Sequence, residues 1–476
     1  MSKPKKVMLG VLIFLVIVVV ALLILFPLLL HVDRYRPQVA AFIQQQTGKP
    51  VEIGHLALTL FPRLTIRVDD FALKNSAPFP AGYFVRTHRM DAVIDARALW
   101  HHQVVIASLD LETPVLSLLS DLQGRWNSEN HPAPDPPGDT PLFTLDVISH
   151  VKISKGAVTV AKVLPSGQPA PAFLAADGVS GQLRQIHMSA VGAFVSPPAA
   201  PGQGNELVAE GTLKVDSLRV ASLLLGDLET QLRLFSQQVF FDGLTLKCYD
   251  GSAAGRLSFL LAGARPRYSA NAQLSGVNLT KLLDAFPDAR GKMTGTLQGA
   301  AQLEGEMIES PDPLAAVQGS GQLVVRHGRL PGLQWNQNLL QLARQAKMGP
   351  VSGDPSSFSS IAVEFAIANH RINTSKVTIV GNGVDVVGSG SLALAGEGSL
   401  DYQGVANVAA AQNALTNMLG GLAGTTLKGG KMAFPFSLAG TFKNPKFTLK
   451  SMGSGGAVGA TNGSVEPGKQ APTPPR

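Results

Sequence analysis

At 476 residues the chain can hold two or three compact domains or one elongated β architecture. Only 15% of it is charged and 45% is hydrophobic, whereas charged residues make up roughly a quarter of a typical soluble protein. Four of the seven net positive charges lie in residues 1–40 and the rest of the chain carries no basic stripe, which argues against a nucleic-acid binder.

In chain order, the first element is apolar. Val7 to Leu30 is 24 residues without a charge; as a helix it reaches roughly 36 Å, enough to cross a bilayer core of about 30 Å. It is too long for a cleaved signal peptide, and no small-x-small site follows it. Lys3, Lys5 and Lys6 precede it, so the positive-inside rule puts the N-terminus in the cytoplasm, against the weaker pull of Arg34 and Arg36 on the far side. Everything after His31 is then expected outside the cytoplasm.

"RPQVAAFIQQQTGK" reads as a short amphipathic helix, with Pro37 in its first turn, Val39, Phe42 and Ile43 on one face and Gly48 as its stop. Strands follow. In "LTIRVDDFAL", Leu64, Ile66 and Val68 alternate with Thr65, Arg67 and Asp69, a period of two that hides one face from water. The pattern recurs in "GRLSFLLAG", "IAVEFAIAN" and "MAFPFSLAG". Asp250-Gly251, Asn382-Gly383, Gly398-Ser399 and Asn444-Pro445 mark turns between such runs. "NSENHPAPDPPGDTP" (127–141) is too proline-rich for a central strand and reads as an insertion or linker. Short helical patches are expected at 279–286 and 336–346, a weaker one at 413–424, and a disordered tail after Lys450.

Catalytic signatures are lacking. The sequence has no His-Glu-x-x-His, no Cys-x-x-Cys and no Gly-x-Ser-x-Gly. His101-His102 would point to opposite faces of a strand and could not chelate one ion there. "GTTLKGGKM" misplaces the lysine of a phosphate-binding loop, and "GNGVDVVGSGS" runs into a strand rather than a helix, so its glycines read as turn and bulge residues. Asp69-Asp70 reads as a solvated pair. Cys248, the sole cysteine, continues the alternation of Leu244 and Leu246 and reads as a small core residue. No enzyme activity, metal or cofactor is expected.

Several stretches together resemble the AsmA-like family of bacterial envelope proteins. They are "RPQVAAFIQQQTGKPVEIGHLALTLFPRLTIRVDDFALKN", "LQGRWN" with "VISHVKISKGAVTV", and "LTLKCYDGSAAGRLSF" through "GKMTGTLQGAAQLEGE". "GSGQLVVRHGRLPGL", "VVGSGSLALAGEGSLDYQGVA" and "FPFSLAGTFKNPKFTL" continue the likeness to residue 450, and the proline-rich 127–141 departs from it. The resemblance implies a mainly β chain: an N-terminal transmembrane helix, then an elongated, curved antiparallel β-sheet groove with a few short helices. It also implies an inner-membrane, single-pass protein with its bulk in the periplasm, related to bridge-like lipid transfer proteins and supporting outer-membrane lipid homeostasis. Its partners would be phospholipid, the inner membrane and an outer-membrane or periplasmic protein. The sections expected are an anchor (1–31), a first helix and β section (32–126), the insertion (127–141), a middle β section (142–310), a C-terminal β module (311–450) and the tail (451–476).

The alternation nominates the residues of such a groove: Leu257, Phe259 and Leu261 in one strand, and Ile361, Val363, Phe365 and Ile367 in another. Arg256, Ser258 and Glu364 would then face water, since an unpaired carboxylate is costly to bury. An open apolar face could shield acyl chains at about 0.8 kcal/mol per methylene. The same alternation would equally suit a sandwich or barrel core packed on itself. A competing function is a scaffold or assembly factor for outer-membrane proteins, binding polypeptide along sheet edges.

Overall fold

The computed structural model describes residues 32–100, 103–128, 144–187, 206–261, 266–306, 316–331, 356–381, 384–394, 398–409, 427–428, 431–441 and 444–449. The expected anchor, His101-His102, most of the proline-rich insertion, the helical patches at 336–346 and 413–424, Asn382-Gly383 and the tail lie outside them. Among the described residues no helix is long and apolar enough to cross a membrane.

A 3-10 turn (Val32–Tyr35) leads into helix α1 (Arg36–Thr47). Pro37 occupies its first turn, where a missing amide costs nothing, and Gly48 ends it in the left-handed region at φ 66°, donating its N–H to the Gln44 carbonyl at 2.8 Å. Val39 and Ile43 pack against a buried cluster of Leu56, Val68 and Phe71. That cluster opens the sheet.

Strands β1 (Val51–Glu52) and β2 (His55–Thr59) lie end to end along β3 (Thr65–Lys74), which pairs with β4 (Tyr83–Ile94). Helix α2 (Ala96–Trp100) leads to β5 (Gln103–Glu112), and β5 and β6 (Val115–Ser120) both run antiparallel to β4. Both run parallel to β7 (Thr144–Lys162). The sheet is therefore mixed, which corrects the all-antiparallel expectation. The cause is the connection: a parallel neighbour needs a crossover of a dozen or more residues, and residues 121–143, which hold the proline-rich sequence, separate β6 from β7.

From β7 onward each strand lies antiparallel to the one before. In order these are β8 (Leu174–His187), β9 (Leu207–Val220), β10 (Leu223–Phe235), β11 (Gln238–Cys248), β12 (Gly251–Leu260) and β13 (Arg267–Asn278). Helix α3 (Leu279–Asp284) follows, then β14 (Thr296–Glu306), β15 (Gln318–Arg329), β16 (Ser357–Ala368), β17 (Arg371–Gly381), β18 (Val384–Ala393) and β19 (Ser399–Ala409). After the two-residue β20 (Leu427–Lys428), β21 (Lys431–Thr441) pairs with β19, and β22 (Pro445–Leu449) pairs with the far side of β21. All 22 strands belong to one curved sheet. Among the described residues no ladder joins its first strands to its last.

Register is adjusted locally. Lys155 and Asp227 take positive φ (53° and 45°) where the β7–β8 and β10–β11 ladders shift, and such bulges add twist. Past Asp70 (φ 51°) the buried positions of β3 move from Val68 to Phe71. The turn between β11 and β12 is centred on Tyr249-Asp250, both at positive φ (46° and 66°), because Cys248 pairs with Gly251. The sequence pattern had put it one residue later. Asn444-Pro445 does open β22, with reciprocal backbone hydrogen bonds between Thr441 and Asn444.

Candidate functional site

Residues opposite one another in a ladder project to the same side of the sheet, so the registers trace each face across the strands. One row runs through Gly255, Ala272, Ala301 and Gly321 on β12–β15 to Phe365 on β16. It continues through Thr374, Gly390 and Tyr402 to Leu438 and Phe447 on β22. The one aliphatic-poor pair in it is satisfied internally, since the Thr374 hydroxyl and the Tyr402 phenol are 3.0 Å apart.

Most of the nominated residues fall on this face. Leu257 stands opposite Phe241 and Ala270; Phe259 stands opposite Val239 and Tyr268, its ring edge-on to Phe241 at 6.2 Å. On β16, Ile361 meets Val325 and Ile379, Val363 meets Leu323 and Val377, and Ile367 meets Gly319 and Ile372. Leu261 lies one residue past β12, where its amide donates to the Gln237 carbonyl at 2.8 Å. The other face is polar. Glu364 is exposed, and Asp242 is shared by Arg233 and Arg256 at 2.6 Å each.

The apolar face is not evenly covered. Val277, Leu297, Val325, Ile361, Val386 and Ala406, each 1–8% exposed, lie in one row of ladder partners on β13–β19 that passes through the half-buried Ile379. Beside its first strands sits α3, whose Leu279, Leu282 and Leu283 belong to the same cluster as Val277, Leu297 and Cys248. Burial pushes the Cys248 thiol up, as befits a packing residue. Farther along the same strands, Leu257, Phe259, Val363, Phe365 and Ile367 are only half-buried. One margin is closed and the other is open, apart from Thr374 and Phe436, which are buried.

Glycines shape the open part. The Phe365 ring lies against Gly321: a Cβ there would meet the ring Cζ at 2.7 Å and the Ala300 carbonyl at 2.6 Å. Tyr268 lies against Gly305 and Phe436 against Gly404 in the same way. Aromatic rings laid flat on a neighbouring glycine cover the strand while keeping the surface low. The sequence held this clue in "GSG" at 319–321 and 388–390, where glycines occupy alternate positions of one face.

A polar knot that sequence reasoning missed joins three motifs far apart in the chain. Lys49 is 3% exposed; its Nζ donates to the Asn127 carbonyl at 2.8 Å and lies 5.3 Å from the Phe84 ring centroid. The Asn127 amide donates to Asn75 Oδ1 at 2.9 Å and to the Ser117 carbonyl at 2.8 Å, and its Oδ1 accepts from the Leu119 amide. Such a network rigidifies because every member has its partner. Among the described residues no group of three or more potential metal ligands is found.

Comparison with curated proteins and with solved structures returned no match. The AsmA family model matches residues 1–141, the section that holds the Lys49–Asn127–Asn75 knot, and this match supports an AsmA-like assignment.

Proposed function

We propose that this AsmA-like protein is a non-enzymatic, inner-membrane-anchored envelope protein that binds or transfers phospholipid along the apolar face of its sheet. Residues 7–30 are its membrane helix and the sheet lies in the periplasm. One observation carries the reading. The apolar face continues through the ladder registers from β11 to β22, its Thr374–Tyr402 hydroxyl pair satisfied internally, yet Leu257, Phe259, Val363, Phe365 and Ile367 keep solvent access. A packed core would bury them. An acyl chain laid there gains about 0.8 kcal/mol per methylene removed from water, while its headgroup stays wet beyond the open margin.

Phe365→Glu tests the proposal. On an open face the new carboxylate keeps its water, so the variant should fold with an unchanged melting transition and lose co-purifying phospholipid, read by mass spectrometry of lipid extracts. In a closed core the same carboxylate is buried without a partner and the protein unfolds. Unfolding, or wild-type protein that takes up no phospholipid after delipidation, refutes lipid carriage on this face. The assembly-factor alternative predicts that second result.

A further inference from the structure

A cavity of about 750 Å³ lies where the chain enters the sheet, between the segment that follows the apolar run and the edge formed by β1, β3 and β4. Its wall carries Asp33, Arg34, Arg36, Asp70, Tyr83 and Arg86. Charge is not balanced evenly among them. Asp33 is held by Arg36 at 2.8 Å and His55 at 3.1 Å, Asp70 faces His88 at 3.2 Å, and Glu52, also in the wall, pairs with Lys74. Arg36 is further occupied by the Gly54 carbonyl. Arg34 and Arg86 are left over: among the described residues neither has a carboxylate within ion-pair distance. By contrast Arg67 and Arg89, on the same strands as Asp70 and Arg86, are paired with Asp91 and Asp69.

Each of these two guanidinium groups rests over an exposed tyrosine, Arg34 at 5.0 Å from the Tyr35 centroid with its Nη2 donating to the Tyr35 hydroxyl at 3.1 Å, and Arg86 at 5.6 Å from the centroid of Tyr83. The cavity also shares Val51 and Ile53 with the apolar cluster that opens the sheet. It thus sets two arginines that have no carboxylate partner beside apolar side chains, which suits an amphiphile better than a free ion. Asp33 is three residues past Leu30. If residues 7–30 span a bilayer, as the functional reading above requires, tyrosine and arginine stand at headgroup level, where such side chains collect.

We infer that this cavity binds the phosphate of a membrane phospholipid headgroup, with Arg34 and Arg86 as its ligands. Guanidinium groups engage phosphate oxygens through paired, charge-assisted hydrogen bonds. The site would take lipid from the leaflet beside the anchor, at the first end of the sheet.

The test is calorimetric titration of the full chain in non-ionic maltoside micelles with dihexanoyl phosphatidylglycerol and, separately, with inorganic phosphate. The short-chain lipid should bind the wild type, and Arg34→Gln with Arg86→Gln should weaken it at least tenfold without shifting the melting transition. Arg86→Gln alone, an exposed change that the fold tolerates, should weaken it severalfold, and Arg86→Lys should restore only part. Phe365→Glu should leave this binding intact, so the cavity and the apolar face fail or succeed separately. Undiminished lipid binding by folded arginine variants overturns the site. Inorganic phosphate binding as tightly as the lipid overturns the lipid assignment in favour of a free-anion site.

Discussion

At the scale of single residues, the apolar face depends on absent side chains as much as on present ones. Gly321 is the clearest case, because the Ala300 carbonyl and the Phe365 ring both stand closer than 3.0 Å to where its Cβ would be. Gly321→Val should therefore cost roughly 1–3 kcal/mol, the usual range for overpacking, read as a lower denaturation midpoint. It should also lift the Phe365 ring off the sheet, so lipid uptake falls even under conditions where the variant is fully folded. A stability unchanged from wild type would mean that the ring does not rest on the glycine.

At the scale of elements, α3 roofs the closed margin and is held by its own first residues. Asn278 caps it, accepting from the Lys281 amide at 3.3 Å, and Asp250 braces both, 2.7 Å from Lys281 Nζ and 3.1 Å from the Asn278 amide. Asn278→Ala should cost about 1 kcal/mol and speed amide exchange across Leu279–Asp284. The Asp250 carboxyl lies below its usual value, chiefly because the Lys281 ammonium hydrogen-bonds its charged form, with the Asn278 amide next. A carboxylate depressed in the folded state stabilises fully above its unfolded value of about 3.9 and loses that contribution as pH falls through the lower folded value. Protection factors in α3 should hold from neutral pH to about 5 and fall in stronger acid. Asp250→Asn should remove that acid step; its persistence would point to another carboxylate.

At the scale of the whole molecule, an open sheet of 22 strands, a few of them sharing a rank end to end, extends on the order of 90 Å at about 4.8 Å per strand. A compact chain of this length would have a radius of gyration of about 23 Å. Small-angle scattering of residues 32–476 should give a clearly larger radius and a long-tailed distance distribution. A value near the compact one would mean that the sheet closes on itself.

The alternation of apolar and polar residues was enough to settle strand identity and facing locally. Leu257 with Phe259, and Ile361 through Ile367, could be assigned to one side because successive residues of a strand must point to opposite faces. Helix α1 was equally legible, since Pro37 and Gly48 act through backbone geometry that depends only on near neighbours. The parallel entry of β7, the shift of buried positions at Asp70 and the turn at Tyr249-Asp250 were not, because ladder pairing decides them and pairing joins residues distant in the chain. The same holds for the site. The sequence alone marked which residues are apolar and share one face, whereas only the tertiary structure decided that Phe365 lies on Gly321, that Lys49 meets Asn127, and that one margin is closed while the other stays open. Exposure is a property of what the rest of the chain covers, and no local pattern encodes it.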